Sequence, residues 1–95
     1  LYAQTDKNVT RIFIDGHTDA VGLRAANLEL SRQRAERVAQ YLLDRGLPET
    51  LLTVRWHGER YPVASNQTAE GRGMNRRVSV RIDRADERLR AARAD

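Results

Sequence analysis

The chain contains no cysteine, so disulfides and thiolate metal sites are excluded, while a cytosolic and an envelope location both stay open. Long apolar runs are missing as well: nothing approaches the ~18 residues that a membrane-crossing helix requires. No basic-apolar-small signal peptide opens the sequence, which starts at Leu1 rather than Met. It therefore reads as an excised domain whose targeting information lies elsewhere. Aromatic residues make up only 5% of the chain, which weighs against a surface that reads single-stranded nucleic acid by stacking bases.

What is present fits one small soluble domain. Ninety-five residues, 40% hydrophobic and 32% charged, are ordinary for a globular fold. A chain of this length buries only somewhat over ~60% of the surface its unfolded form exposes, so the core is expected to be small. Seventeen basic residues, all but one of them Arg, face thirteen acidic ones, for a net charge of +4. That balance mildly favours a polyanionic partner, but the charges are interspersed rather than blocked, which favours an ordinary solvated surface.

Residues 1–10 show no clear period and read as the tail of a segment that began upstream. Residues 11–16 (RIFIDG) read as a strand with Ile12 and Ile14 on one face. From about Leu23 to Arg45, Leu28, Ala35, Val38 and Leu42, with small Ser31 between, recur at helical spacing, and Gly46 is the expected stop. Leu52 to His57 alternates Leu52, Val54 and Trp56 against polar residues, and Trp56 is expected to be a core anchor rather than a sugar-stacking platform. Residues 59–75 read as a loop rich in turn formers, and a third strand follows from Arg76 to Asp83, with Val78, Val80 and Ile82 facing inward. Alternation of this kind implies a sheet covered on one side. Residues 84–95 are Ala- and Arg-rich with Leu89 as the only large apolar residue, so a frayed or exposed terminal helix is expected there.

The informative pattern is Gly16-His17-Thr18-Asp19 followed by Asn27, Leu30, Ser31, Arg34 and Ala35. It sets one anion, Asp19, and one cation, Arg34, beside the same helix start. Such a pair suits a ligand with a free ammonium and a free carboxylate on one carbon, because a guanidinium grips a carboxylate bidentately while a carboxylate accepts from an ammonium. Asn27 and Arg34 lie two helical turns apart, about 10 Å, on one face. Helix N-terminal N–H groups next to them favour an anion.

GHTD (16–19), Gly22, NxELSxxRAxxV (27–38), Gly58 with Pro62, and NxTxEGRxxNRRV (66–78) together resemble the OmpA-like domain over residues 11–83. The resemblance implies an α+β fold, a mixed β-sheet with helices packed on one face in a βαβαβ-type sandwich. In the family another strand and helix precede the GHTD strand, so the N-terminal strand and helix are expected to be missing from this chain. The resemblance also implies a periplasmic module without catalysis or cofactor, binding peptidoglycan noncovalently through the diaminopimelate of the stem peptide. Its membrane attachment would come only through the rest of the parent protein, to the outer membrane rather than the inner. Asp19 and Arg34 match the family positions that hold the diaminopimelate and Asn27 one that lines the pocket; Thr18 is expected to supply a further hydrogen bond.

Each residue also carries a plainer reading. Asp19 could cap or turn the chain before the helix, Arg34 could form a surface ion pair with Glu36 or Asp44, and Asn27 could be an N-cap. His17 beside Asp15 and Asp19 invites a metal, but the chain has two histidines and no HExxH spacing, so His17 is expected to strap the loop. Arg72 and Asn75 are read as ties between the long loop and the third strand in preference to glycan or phosphate contacts. The alternative function is a nucleic-acid-binding face built on Arg55, Arg77 and Arg81. A wall hydrolase lacks the paired carboxylates or metal ligands it needs. The sequence leaves the parent protein and the oligomeric state open, a homodimer included.

Overall fold

A computed structural model of the chain describes residues 8–85. Three strands and two helices follow one another as β1 (Val9–Gly16), α1 (Arg24–Asp44), β2 (Leu52–Trp56), α2 (Ala69–Asn75) and β3 (Val78–Arg84), with a 3-10 turn at Glu49–Leu51 before β2. The sheet order is β2-β1-β3, so β1 is central. It runs parallel to β2 and antiparallel to β3, which makes the sheet mixed. Parallel neighbours cannot be joined by a tight turn, and α1 supplies the crossover.

The pleat sends Ile12 and Ile14 of β1 toward α1, where they are buried with Val9, Ala35, Ala39 and Leu47. Val38, Leu42, Leu52, Val54, Val78 and Ile82 close around this cluster. The buried stripe of α1 is Asn27, Ser31, Ala35 and Ala39. Leu28, expected on that stripe, is 45% exposed. The reason is the closeness of helix and sheet. A Cβ on Gly16 would lie 2.1 Å from the Ser31 carbonyl oxygen and 3.2 Å from the Ala35 Cβ, so only small side chains fit between α1 and β1. Larger residues are displaced to the flanks of the stripe.

The C-terminus of α1 ends as the sequence predicts. Gly46 takes a φ of +92°, its N–H donates to the Leu43 carbonyl, and the Leu47 N–H donates to the Leu42 carbonyl. This is the paired bonding of a Schellman stop, and it carries Leu47 back into the core beside Leu42.

Four expectations need correction. Residues 9 and 10, read as part of a preceding segment, already belong to β1. The region 59–75 is not all loop, because Ala69–Asn75 is helical: the Thr68 hydroxyl accepts the Gly71 N–H at 3.0 Å and starts α2. Val80 shares the inward parity of Val78 and Ile82 but is 47% exposed, since β3 is an edge strand among the described residues and α1 lies mainly over β1 and β2. Trp56 is 40% exposed and no core anchor: it pairs with Gly16 at the end of the sheet, where a cavity separates β2 from the first turn of α1. The expected remnant at residues 1–7 and the expected helix over 86–95 lie outside the described residues.

Candidate ligand-binding site

Past the end of β1 the chain keeps bonding to both neighbours. The His17 N–H donates to the Arg77 carbonyl at 2.9 Å, and the Thr18 N–H donates to the Gly58 carbonyl at 2.8 Å. Gly58 is fixed in turn by the buried Ser31 hydroxyl, which accepts its N–H at 2.9 Å. The loop from Gly16 to α1 is thereby held by β2, β3 and the helix together.

Thr18 and Asn27 finish this positioning. Thr18 is buried, and its hydroxyl donates to the Asp19 carbonyl at 2.8 Å. Asn27, buried on the first turns of α1, uses its amide nitrogen to donate to the Asp19 carbonyl at 3.3 Å and the Val21 carbonyl at 2.9 Å. The hydrogen bonds expected to point outward from these two residues go to the loop, because both side chains lie beneath it. Nor is Asn27 an N-cap, since that position belongs to Leu23.

Asp19 carries its carboxylate on top of this support. One oxygen accepts the Val21 N–H at 3.1 Å and the other accepts from Arg76 Nη1 at 2.8 Å. The Arg76 hydrogen bond outweighs the cost of desolvation and holds the Asp19 carboxyl below the usual carboxylate range. A carboxylate has about four acceptor sites, so the two bonds leave room for an ammonium. The sequence reading missed Arg76 as a partner of Asp19. Its signal was the basic run before the third strand: antiparallel pairing of Gly16 with Val78 places the residues preceding β3 beside those following β1.

Arg34 is half-buried on α1, and its Nη1 is buried with no hydrogen-bond partner among the described residues. The ion pairs open to it on the plainer reading do not form. Glu36 is taken by Arg32 at 2.6 Å, and Asp44 accepts from Gln40 at 2.8 Å. Arg34 lies two helical turns, about 10 Å, from Asn27, whose amide donates to the Asp19 carbonyl.

Asn75, fully buried, is a tie of the long segment as expected, but to α2 and not to the third strand. Its amide bonds the Val63 and Ala64 N–H groups, the Ala64 carbonyl and the Asn66 side chain. Arg72 adds a bond to the Asn66 carbonyl at 3.0 Å, and Asn66 in turn accepts the Ala20 N–H at 3.3 Å. The long segment after β2 is thus tied to α2 and to the Asp19 loop.

The helix-free face carries a second polar cluster. Arg55 bonds Asp15 with two nitrogens, at 2.7 and 2.9 Å, and His57 Nε2 lies 2.7 Å from the same carboxylate. Burial pushes the Asp15 carboxyl up, but these partners together bring it below the usual range. His17 stacks on His57 with ring centroids 5.0 Å apart, and burial, followed by the charge of Arg77, lowers its pKa. Its Nδ1 has no partner among the described residues, so the expected strap is made by the His17 backbone and not by the ring. No group of three or more His, Asp or Glu among the described residues is placed to hold a metal. Arg55 and Arg81 both stack on Phe13, at 4.5 and 4.4 Å, and Arg77 donates to the Tyr61 carbonyl at 3.1 Å. The cations proposed for nucleic acid are therefore already engaged.

A three-stranded mixed sheet under a crossover helix, with the Asp19 carboxylate fixed on the loop that leads into that helix, makes this a small α+β domain. The chain belongs to the OmpA family, whose model matches residues 1–76. It is 42% identical over 74 residues to outer membrane porin F of Pseudomonas fluorescens, covering 78% of this chain and 23% of that protein. It is also 42% identical over 73 residues to the peptidoglycan-binding protein ArfA of Mycobacterium tuberculosis, covering 77% of this chain and 22% of that protein. The chain thus spans less than a quarter of either relative. Among solved structures it is similar to the C-terminal domain of Helicobacter pylori MotB, with a TM-score of 0.79 and 28% identity, covering 97% of this chain and 70% of that one.

Proposed function

We propose that this domain binds peptidoglycan noncovalently through the diaminopimelate of the stem peptide and so anchors an envelope protein to the cell wall. Asp19 takes the ammonium and Arg34 the carboxylate of the free zwitterionic end, while Thr18 and Asn27 hold the loop that presents Asp19. Arg76, which bonds Asp19, keeps that carboxylate ionised. The observation that carries the reading is the buried Nη1 of Arg34, without a partner among the described residues, since a buried cationic donor is normally matched. Membership of the OmpA family, with a relative named for peptidoglycan binding, points the same way. The role is adhesive rather than catalytic, and its place is the periplasm, with membrane attachment through the parent protein.

Calorimetric titration with a diaminopimelate stem peptide, beside the lysine stem that lacks the extra carboxylate, tests this. Saturable binding of the first alone is expected. Equal binding of both would remove Arg34 from carboxylate recognition, and no binding by the folded domain would overturn the reading as a whole.

A further inference from the structure

On the flank of α1 that faces β2 lies a cavity of about 570 Å³, lined by Trp56, Leu28, Arg24, Glu59 and Arg60 among others. Its volume is in the range of small-ligand sites. The lining is mixed in a particular way. Trp56 and Leu28 present apolar surface to it while remaining 40% and 45% exposed. Arg24 and Glu59 make no ion pair or side-chain hydrogen bond within the described part of the chain, so a donor-only and an acceptor-only side chain stand unmatched beside an indole. A purely apolar ligand would leave those charges unused, and a phosphate would be repelled by Glu59. A pyranose ring has both requirements, a C–H face to lay on an aromatic ring and a rim of hydroxyl and amide groups that donate and accept.

Position adds to chemistry. Leu28 follows Asn27, whose amide supports the Asp19 loop. Gly58, also in the cavity wall, receives the Thr18 N–H on its carbonyl. The cavity and the Asp19 loop therefore adjoin the same helix start. A peptide stem of about three residues spans roughly 10 Å.

We propose that the Trp56 cavity is a sugar subsite that takes an N-acetylhexosamine ring of the glycan strand, with the stem peptide crossing the start of α1 to Asp19 and Arg34. This rests on the stem-peptide reading above. It makes the domain a reader of the junction between glycan and peptide rather than of the peptide end alone.

Trp56 is the single tryptophan of the chain, so its emission reports on the cavity. The test compares three probes by calorimetry and fluorescence: a disaccharide carrying the diaminopimelate stem, the same stem without sugar, and the disaccharide without stem. The intact muropeptide is expected to shift Trp56 emission and to bind about tenfold tighter than the bare stem, which leaves the emission unmoved. Trp56→Ala should bring the muropeptide down to the affinity of the bare stem without changing the latter, and Arg24→Ala should act in the same direction. Equal affinity of muropeptide and stem with unmoved emission would overturn the sugar subsite. So would loss of both ligands together in a folded Trp56→Ala, because that outcome makes the residue structural. If the bare stem fails to bind while the muropeptide or the disaccharide still shifts Trp56, the sugar subsite stands and the stem-peptide reading falls.

Discussion

Arg34 holds a buried guanidinium nitrogen for which the described residues supply no acceptor, and such a donor costs about 1–3 kcal/mol or more in the unliganded state. Binding and stability should therefore respond oppositely at this residue. Arg34→Met keeps the aliphatic stem and removes the charge. Its unfolding free energy is expected to match or exceed that of the parent in urea titrations, while stem-peptide affinity falls by about 2–5 kcal/mol. Amidating the ligand carboxylate should produce the same loss in the parent and little further loss in Arg34→Met, and a cycle without coupling between the two changes would separate Arg34 from that carboxylate. His17 gives a second residue-scale test. Burial lowers its folded pKa below 6.5, so the unfolded chain binds the proton more readily. Stability is then full above about pH 6.5 and declines as pH falls below that value toward the folded pKa. His17→Phe, which keeps a ring against His57, should flatten the slope of the urea midpoint between about pH 7.5 and 5.5. An unchanged slope would assign the dependence to another group.

At the scale of elements, the contact between β1 and α1 sets the geometry on which the loop depends. Gly16→Ala would push a methyl into the Ser31 carbonyl, a backbone atom that cannot turn aside. Overpacking of this kind costs about 1–3 kcal/mol, and here it also moves Ser31, whose hydroxyl fixes Gly58 and through it Thr18. Both the unfolding midpoint and stem-peptide affinity should fall, whereas a midpoint within experimental error of the parent would mean the helix shifts without resistance. The strands and α1 were legible in the sequence because periods of two and 3.6 survive in them. One feature of α1 was not: Ser31 and Ala35 were placed on its buried stripe, but Leu28 was placed there too and Asn27 and Ala39 were not, because hydropathy does not reveal how near the sheet lies and the decisive residue, Gly16, sits outside the helix. α2 was hidden for a different reason: Gly71 and Gly73 are poor helix formers and the segment has no apolar stripe, so only the Thr68 cap signalled it. The Asp19–Arg76 bond could not be read at all without the antiparallel register that joins residues 57 positions apart. Trp56 was misplaced because alternation gives the face of a strand but not where the covering helix begins.

For the molecule as a whole, the question is what a net charge of +4 is for. Counted without placement, sixteen arginines look like a polyanion surface; placed in the fold, many of them already have anions or rings. Arg32 pairs with Glu29 and Glu36, Arg55 with Asp15, Arg76 with Asp19, and Arg81 with Phe13. What is left is a few local cations, foremost Arg34 with its buried nitrogen and Arg24 in the wall of the Trp56 cavity. This distribution makes a clear demand on ionic strength. A protein that neutralises 6–10 phosphates loses roughly 10³–10⁵ in affinity between about 50 and 200 mM salt through counterion release. A zwitterion held by one partly buried cation and one carboxylate releases few ions and is screened far less, so the same change should weaken stem-peptide binding by less than about tenfold. Titrations at the two salt concentrations measure the slope directly. A steep slope would show that the arginines act together as a field, and the domain would then have to be understood as a reader of polyanions in spite of the partners its side chains have found.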